Sequence, residues 1–292
     1  MKKLLPFIAL GALLANALHA NLLPEAVLAF PAQTTALEYD SLSTLRALPN
    51  YKELRKQYAS AGLQRTQKDL LLLGVTEDQI TEVVMAAGPN GFFGLLAGTF
   101  RAISASEAVK QGMTTSALDE QSVFCAKDGI CFLFLTREGG RLAFGTHPQL
   151  RAISEVRQGL APSLSANSTF TNLINRMEPH SPVFGVAPGS EIGLWVGDSI
   201  PKALSSRLDL TKMFASIDTF AYSVIVDSKV HVVLSLLCSS DRSAALLGTT
   251  LTAVSGLERA AISAGVAPLP FNNVVVNSTS RFVAVRLDTS IR

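Results

Sequence analysis

The sequence predicts an α+β fold: two similar antiparallel-sheet units of split βαβ, ferredoxin-like character, with helices on one face and an internal duplication relating them. Three observations predict it. Short apolar runs alternate with amphipathic stretches along the chain, and its 292 residues exceed the roughly 100 to 200 of one domain. Both halves follow the order strand, helical connection, hairpin, helix, strands. Finally, "GFFGLLAGTFRAISASEAVKQG" and "VHVVLSLLCSSDRSAALLGTTL" each run from an apolar strand through a polar bend into an amphipathic helix. The competing reading is one larger α+β domain whose halves look alike because such units do. The expected boundaries are a signal peptide over 1–20, a first unit over 33–159, a connector over 160–190 and a second unit over 191–292.

In the first unit "TALEYD" reads as a strand, and "SLSTLRAL" and "NYKELRKQY" read as short helices, with Asn50 and Glu53 at capping-box spacing. "TQKDLLLLG" is a third helix ending at Gly74, and "TEDQ" a single turn. "TEVVMAA" and "GFFGLLAGTF" pair across "GPNG". Ser104 and Glu107 repeat the capping-box spacing and open a helix running to about Gln111. "SVFCA", "ICFLFL" and "RLAFGT" form a meander, and "HPQLRAISEVRQG" is a helix stopped by Gly159.

Residues 160–190 are rich in Ser, Pro, Asn and Gly around one amphipathic piece, "FTNLINRM", and read as a connector. In the second unit "EIGLWVG" is a strand and "SIPKALSSRL" a weak helix. "SIDTFAYSVIVDSKVHVVLSLLC" is a pair of strands broken at "DSK". A long helix follows from Asp241, then a hairpin of "FNNVVVN" and "RFVAVRLD" turning on "STS".

The leader "MKKLLPFIALGALLANALHA" has two lysines, an apolar stretch and small residues, the layout of a secretory signal peptide, with cleavage after Ala17 or Ala20. The alternative is an uncleaved membrane anchor, because "NLLPEAVLAF" continues the apolar character toward a spanning length. Asn16, His19 and Glu25 oppose a span, and no cysteine near the cut is available for lipidation. The expected location is the bacterial periplasm or the exterior, with membrane contact only if the leader is retained.

Hydrophobic residues make up 48% and charged residues 16% of the chain, so it can bury a core. Its 25 basic residues face 23 acidic ones, and the leader removes Lys2 and Lys3, which leaves no basic excess for nucleic acid. One local basic cluster, Arg46, Lys52, Arg55, Lys56, Arg65 and Lys68, reads as solvated helix faces.

Cys125 and Cys131 flank a turn. If Lys127, Asp128 and Gly129 form a three-residue loop, Cys125 faces Cys131 at a non-hydrogen-bonded position with Cα atoms about 4.5 Å apart. A hairpin disulfide is the expectation. The C-x5-C spacing is not the C-x-x-C of thiol oxidoreductases, and no second ligand pair has zinc-site spacing. Cys238 closes an apolar strand and reads as a buried thiol.

No other motif carries chemistry. No phosphate-binding glycine pattern occurs, and Gly94 and Gly98 read as close backbone packing in a strand. His147, His180 and His231 neighbour no nucleophile elbow. Asp198, Asp209, Asp218, Asp227 and Asp241 read as caps and turns, and Trp195 as a sheet residue. No catalytic, cofactor-binding or metal residue is assigned. The expected function is an exported cell-envelope protein with a non-enzymatic partner-binding or scaffold role. The alternatives are a carrier of a small apolar or amphipathic ligand in a cleft between the units, and a hydrolase of unrecognised type.

Overall fold

The computed structural model describes residues 22–48, 51–52, 61–176, 181–192, 214–226, 230–263 and 272–289. Among these residues twelve strands form one antiparallel sheet. They are β1 (Ala36–Asp40), β2 (Ile80–Gly88), β3 (Gly91–Gly98), β4 (Thr114–Leu118), β5 (Gln121–Cys125) and β6 (Cys131–Phe134), followed by β7 (Arg141–Gly145), β8 (Val183–Pro188), β9 (Ile217–Val226), β10 (Val230–Cys238), β11 (Asn272–Thr279) and β12 (Phe282–Thr289). The spatial order is β11-β12-β10-β9-β8-β1-β2-β3-β7-β6-β5-β4.

Seven α-helices lie among the described residues: α1 (Leu22–Ala29), α2 (Leu42–Arg46), α3 (Ala61–Leu70), α4 (Ala105–Lys110), α5 (His147–Arg157), α6 (Ser168–Ile174) and α7 (Asp241–Ser263).

Each half has the same connection. In the first, β1 to β3 meander, α4 carries the chain to the far edge, and β4 to β7 return until β7 lies beside β3. In the second, β8 to β10 meander, α7 carries the chain outward, and β11 and β12 return until β12 lies beside β10. The segments β3–α4 and β10–α7 are the two stretches whose sequences ran in parallel. The halves meet at β1 and β8, which pair antiparallel from Leu37 opposite Val186 to Asp40 opposite Val183.

The α+β class stands, but the helices do not keep to one face. Alternate residues of a strand point to opposite sides. On one face Tyr39, Val84, Leu95, Leu133 and Ala143 are buried with residues of α1, α5 and α6. On the other, Val83, Leu96, Phe132 and Phe144 are buried with residues of α2, α3 and α4, and α7 covers that same face in the second half. Central strands apolar on both sides need covering on both sides. "VVMAA" and "GFFGLLAG" are such strands, and their unbroken apolar runs were the available signal.

The expected connector is partly sheet. Its amphipathic piece is α6, capped by the Asn167 side chain, which accepts from the Phe170 N–H at 3.2 Å. Its end is β8, a strand that composition concealed because prolines flank it. Pro188 sits at the strand's last position, where a missing ladder donor is tolerated. "EIGLWVG" begins in a 3-10 turn, Gly189–Glu191, and its remainder lies outside the described residues, as do the "SIPKALSSRL" helix and the Asn50–Glu53 capping box. Strand β4 had no counterpart in the sequence reading.

The apolar stretch after the leader is α1, buried in the core through Leu22, Ala26 and Ala29, with Phe30 edge-on to Phe93 at 5.0 Å between ring centres. Glu25, on its outer side, pairs with Arg141 at 3.1 Å and Arg157 at 3.5 Å. Among the described residues no helix is long and apolar enough to cross a bilayer.

Gly94 is a site of close approach, as its strand position suggested. A Cβ there would sit 2.4 Å from the Val84 carbonyl oxygen and 2.5 Å from the Phe144 ring, which lies across it. Overpacking a filled core costs about 1–3 kcal/mol. Gly94→Ala is therefore expected to lower stability by about that amount in denaturant melts; an unchanged midpoint would show that the ring and strand can yield.

Candidate functional site

The stapled hairpin forms as its residues dictate. Cys125 and Cys131 are opposite one another in the β5–β6 register. The Ala126 N–H donates to the Ile130 carbonyl at 2.8 Å, and the Ile130 N–H donates to Asp128 Oδ1 at 3.2 Å. Gly129 takes φ +89°, the left-handed conformation that a side chain disfavours. The two sulfurs are bonded, with Cα atoms 3.9 Å apart. Closing so short a loop stabilises by about 2 kcal/mol or less, so the bond acts chiefly as a local constraint. Cys238 is buried and free, and burial pushes its thiol up from its ordinary value.

A second feature was not anticipated. Glu38 and Asp40, two residues apart on β1, share the face on which α7 packs in the second half and α2 in the first. Tyr222 on β9 reaches across β8 to donate its hydroxyl to Glu38 Oε2. It can do so because Gly185 lies beneath it: a Cβ at that position would stand 2.5 Å from the Tyr222 ring. Burial pushes the Glu38 carboxyl up, and the Tyr222 hydrogen bond partly offsets this. Burial and the neighbouring Glu38 charge push Asp40 well up. Two neighbouring carboxylates out of water disfavour double ionisation, and Glu38 has the Tyr222 phenol as a donor, so the push toward the neutral form falls most on Asp40.

On the opposite face of β1, Tyr39 donates to Glu82 Oε1 at 2.6 Å, and Glu82 Oε2 accepts the Leu22 N–H at 3.1 Å. The signal for the acidic pair was present in "LEYD", where a period of two places both carboxyls on one side of a strand with apolar flanks.

The remaining candidates are scattered. His147 is the first residue of α5, as expected of a helix opener, and His180 lies outside the described residues. His231 on β10 stands opposite Asp288 on β12, its Nδ1 2.8 Å from Asp288 Oδ1. Asp241 starts α7, as expected. Asp218 is a strand residue of β9 that pairs with Arg281 at 2.8 Å. Asp198, Asp209, Asp227 and Trp195 lie outside the described residues. Of the basic cluster, Arg46 is structural: its guanidinium donates to the carbonyls of Glu77 at 2.6 Å and Ile80 at 2.7 Å. Lys52 and Lys68 are solvated. Among the described residues no group of three or more His, Cys, Asp and Glu side chains could hold a metal.

A surface pocket of about 460 Å3 opens between α3, the end of α4 and the stapled loop, lined by Lys68, Asp69, Leu72, Gln111, Lys127 and Asp128. Burial, then the neighbouring Asp128, pushes the Asp69 carboxyl up. The pocket belongs wholly to the first half, and the His231–Asp288 pair does not line it.

The acidic pair sets a pH dependence. A carboxyl whose value is raised on folding contributes stability that is whole below its unfolded value, about 3.9 for Asp, and is lost as pH rises through the folded value. Among the described residues the titratable groups that interact with Asp40 are Glu38, Tyr222 and, from the other side of the strand, Tyr39. Asp40→Asn is expected to raise the thermal midpoint at about pH 8 and to change it little at about pH 4. Circular-dichroism melts of both chains across that range provide the measurement; a difference that does not vary with pH would refute the raised Asp40 carboxyl.

No family model matches the chain, and no curated protein matches it. Two solved structures, crystal forms III and IV of TP0453, are similar to it over 91% of its length. Their sequences are 10% and 11% identical to it, 94% and 92% of their own chains are covered, and the TM-score is 0.48 for both. A likeness of that degree assigns no activity to this chain.

Proposed function

We propose that the protein is exported to the bacterial cell envelope and works there without catalysis, by binding a macromolecular partner or acting as a scaffold. The observation that carries the proposal is the Cys125–Cys131 disulfide, since such bonds persist in oxidising compartments and are rare in the cytosol. The lysine-led leader points the same way, and both cleavage positions leave α1 whole. We further infer that the halves arose by duplication of one ferredoxin-like unit; their common connectivity, meeting at β1 and β8, supports this.

The carrier reading gains no support from the pocket, which is lined largely by charged side chains and lies away from the junction of the halves. The hydrolase reading has only the His231–Asp288 pair, an imidazole beside a carboxylate, and that pair does not line the pocket between α3, α4 and the stapled loop.

Expression with the native leader, fractionation, and mass mapping under non-reducing conditions test the proposal. The expected product is a chain lacking 17 or 20 residues, found outside the cytosol, with the Cys125 and Cys131 peptides joined. Intact, reduced polypeptide in the cytosol would refute export. Cross-linking in the native envelope is expected to capture a protein partner; retention of a small apolar ligand instead would favour the carrier.

A further inference from the structure

Among the described residues the twelve-stranded sheet is open, so β4 and β11 each leave one row of backbone groups without a neighbouring strand. The two edges are not alike. Along β11 the register slips between Asn272 and Val275, a bulge of the kind that blunts an edge. The Ser255 hydroxyl of α7 also donates to the Val274 carbonyl at 3.4 Å. Strand β4, "TTSAL", has no charge, proline or bulge, and its residues 114–117 are exposed.

The turn after β4 shows which groups are open. Asp119 and Glu120 both have positive φ, +49° and +66°, the two-residue type I′ hairpin loop. Leu118 and Gln121 beside it therefore form a hydrogen-bonded pair, and alternation makes Ser116–Val123 and Thr114–Cys125 hydrogen-bonded too. The stapled hairpin agrees: Cys125 and Cys131 are a non-hydrogen-bonded pair, so the backbone of Cys125 is directed at β4. The outward N–H and C=O groups of β4 are those of Thr115 and Ala117.

From this geometry we infer that β4 is an interface for a second copy of this chain, pairing antiparallel about a twofold axis at Ser116. In that register Thr115 of each copy exchanges both backbone hydrogen bonds with Ala117 of the other, and Ser116 faces its own counterpart. Charge favours a second copy as the occupant. The chain enters β4 from α4, whose last residue is Lys110, and leaves through exposed Glu120. Antiparallel self-pairing sets the acidic turn of each copy beside the basic entry of the other, twice per dimer. The edge is also preorganised. Asp119 Oδ2 accepts from the Ser154 hydroxyl at 2.6 Å and from Gln158 Nε2 at 2.8 Å, so α5 holds the turn, and the disulfide holds the next hairpin. The inference rests on this strand alone and holds whether or not the chain is exported.

Sedimentation of the full mature chain over about a hundredfold range of concentration tests it. A monomer–dimer equilibrium is expected. Ser116→Lys, which opposes two ammonium groups at the axis, is expected to weaken the dimer about tenfold or more while leaving the melting curve intact. Ser116→Cys is expected to give a covalent dimer on mild oxidation, because residues at a non-hydrogen-bonded antiparallel position lie about 4.5 Å apart at Cα. Thr115→Cys and Ala117→Cys, which do not meet their own counterparts in this register, are expected to cross-link far more slowly. A chain that stays monomeric would overturn the inference. So would a dimer indifferent to Ser116→Lys with no cross-linking preference for position 116, or a β4 edge protected only by a different protein.

Discussion

Pairing of β1 with β8 is the constraint on which the rest of the molecule depends. It turns the strands of both halves into a single sheet, and each face of β1 is fastened by a phenol and a carboxylate. On one face Tyr39 stacks on Phe184 with ring centres 5.0 Å apart and donates to Glu82. On the other, Tyr222 crosses over Gly185 to Glu38. Burying a carboxyl is costly without a donor or a proton; the Tyr222 hydroxyl supplies a donor to Glu38, and burial pushes Asp40 toward its neutral form. The absent side chain at position 185 is what lets a residue on β9 reach a strand two places away. Gly94 beneath Phe144 repeats the device in the first half, with a ring alone and no polar group.

From that seam the two halves diverge in how they end. The first half returns through four strands to β4, and its outer part is held by a disulfide, by the Asp119 contacts with α5 and by Met113 in the core. The second returns through two strands to β11, where α7 lies over the sheet and reaches the edge through Ser255. The disulfide therefore sits where the sheet extends furthest from its centre, among strands of four and five residues whose few ladder bonds need reinforcement. Its modest effect on global stability and its location fit a part in positioning an edge.

The chemistry-bearing groups do not converge on one site: the acidic pair lies under packed elements, the imidazole–carboxylate pair bridges two strands, and the charged pocket is local to the first half. A large sheet with one reinforced, uncharged edge offers backbone groups to another chain more readily than it offers a cavity to a small molecule.

Local sequence determined the elements and the bonds that close within a few residues. The Ser104–Glu107 capping box, the left-handed stop at Gly74, the hairpin across "GPNG" and the Cys125–Cys131 pairing were all legible, since each depends on residues close together along the chain. Strand β8 was hidden by its prolines. Strand β4 was hidden by its polarity, because an exposed edge strand lacks the apolar alternation that marks a strand with one buried face. Only the tertiary structure decided that the halves share one sheet, that both faces are covered, and that Glu38, Asp40 and Tyr222 meet. Their encounter joins positions 184 residues apart, and sequence periodicity reports which way a side chain points but not which distant strand lies opposite it.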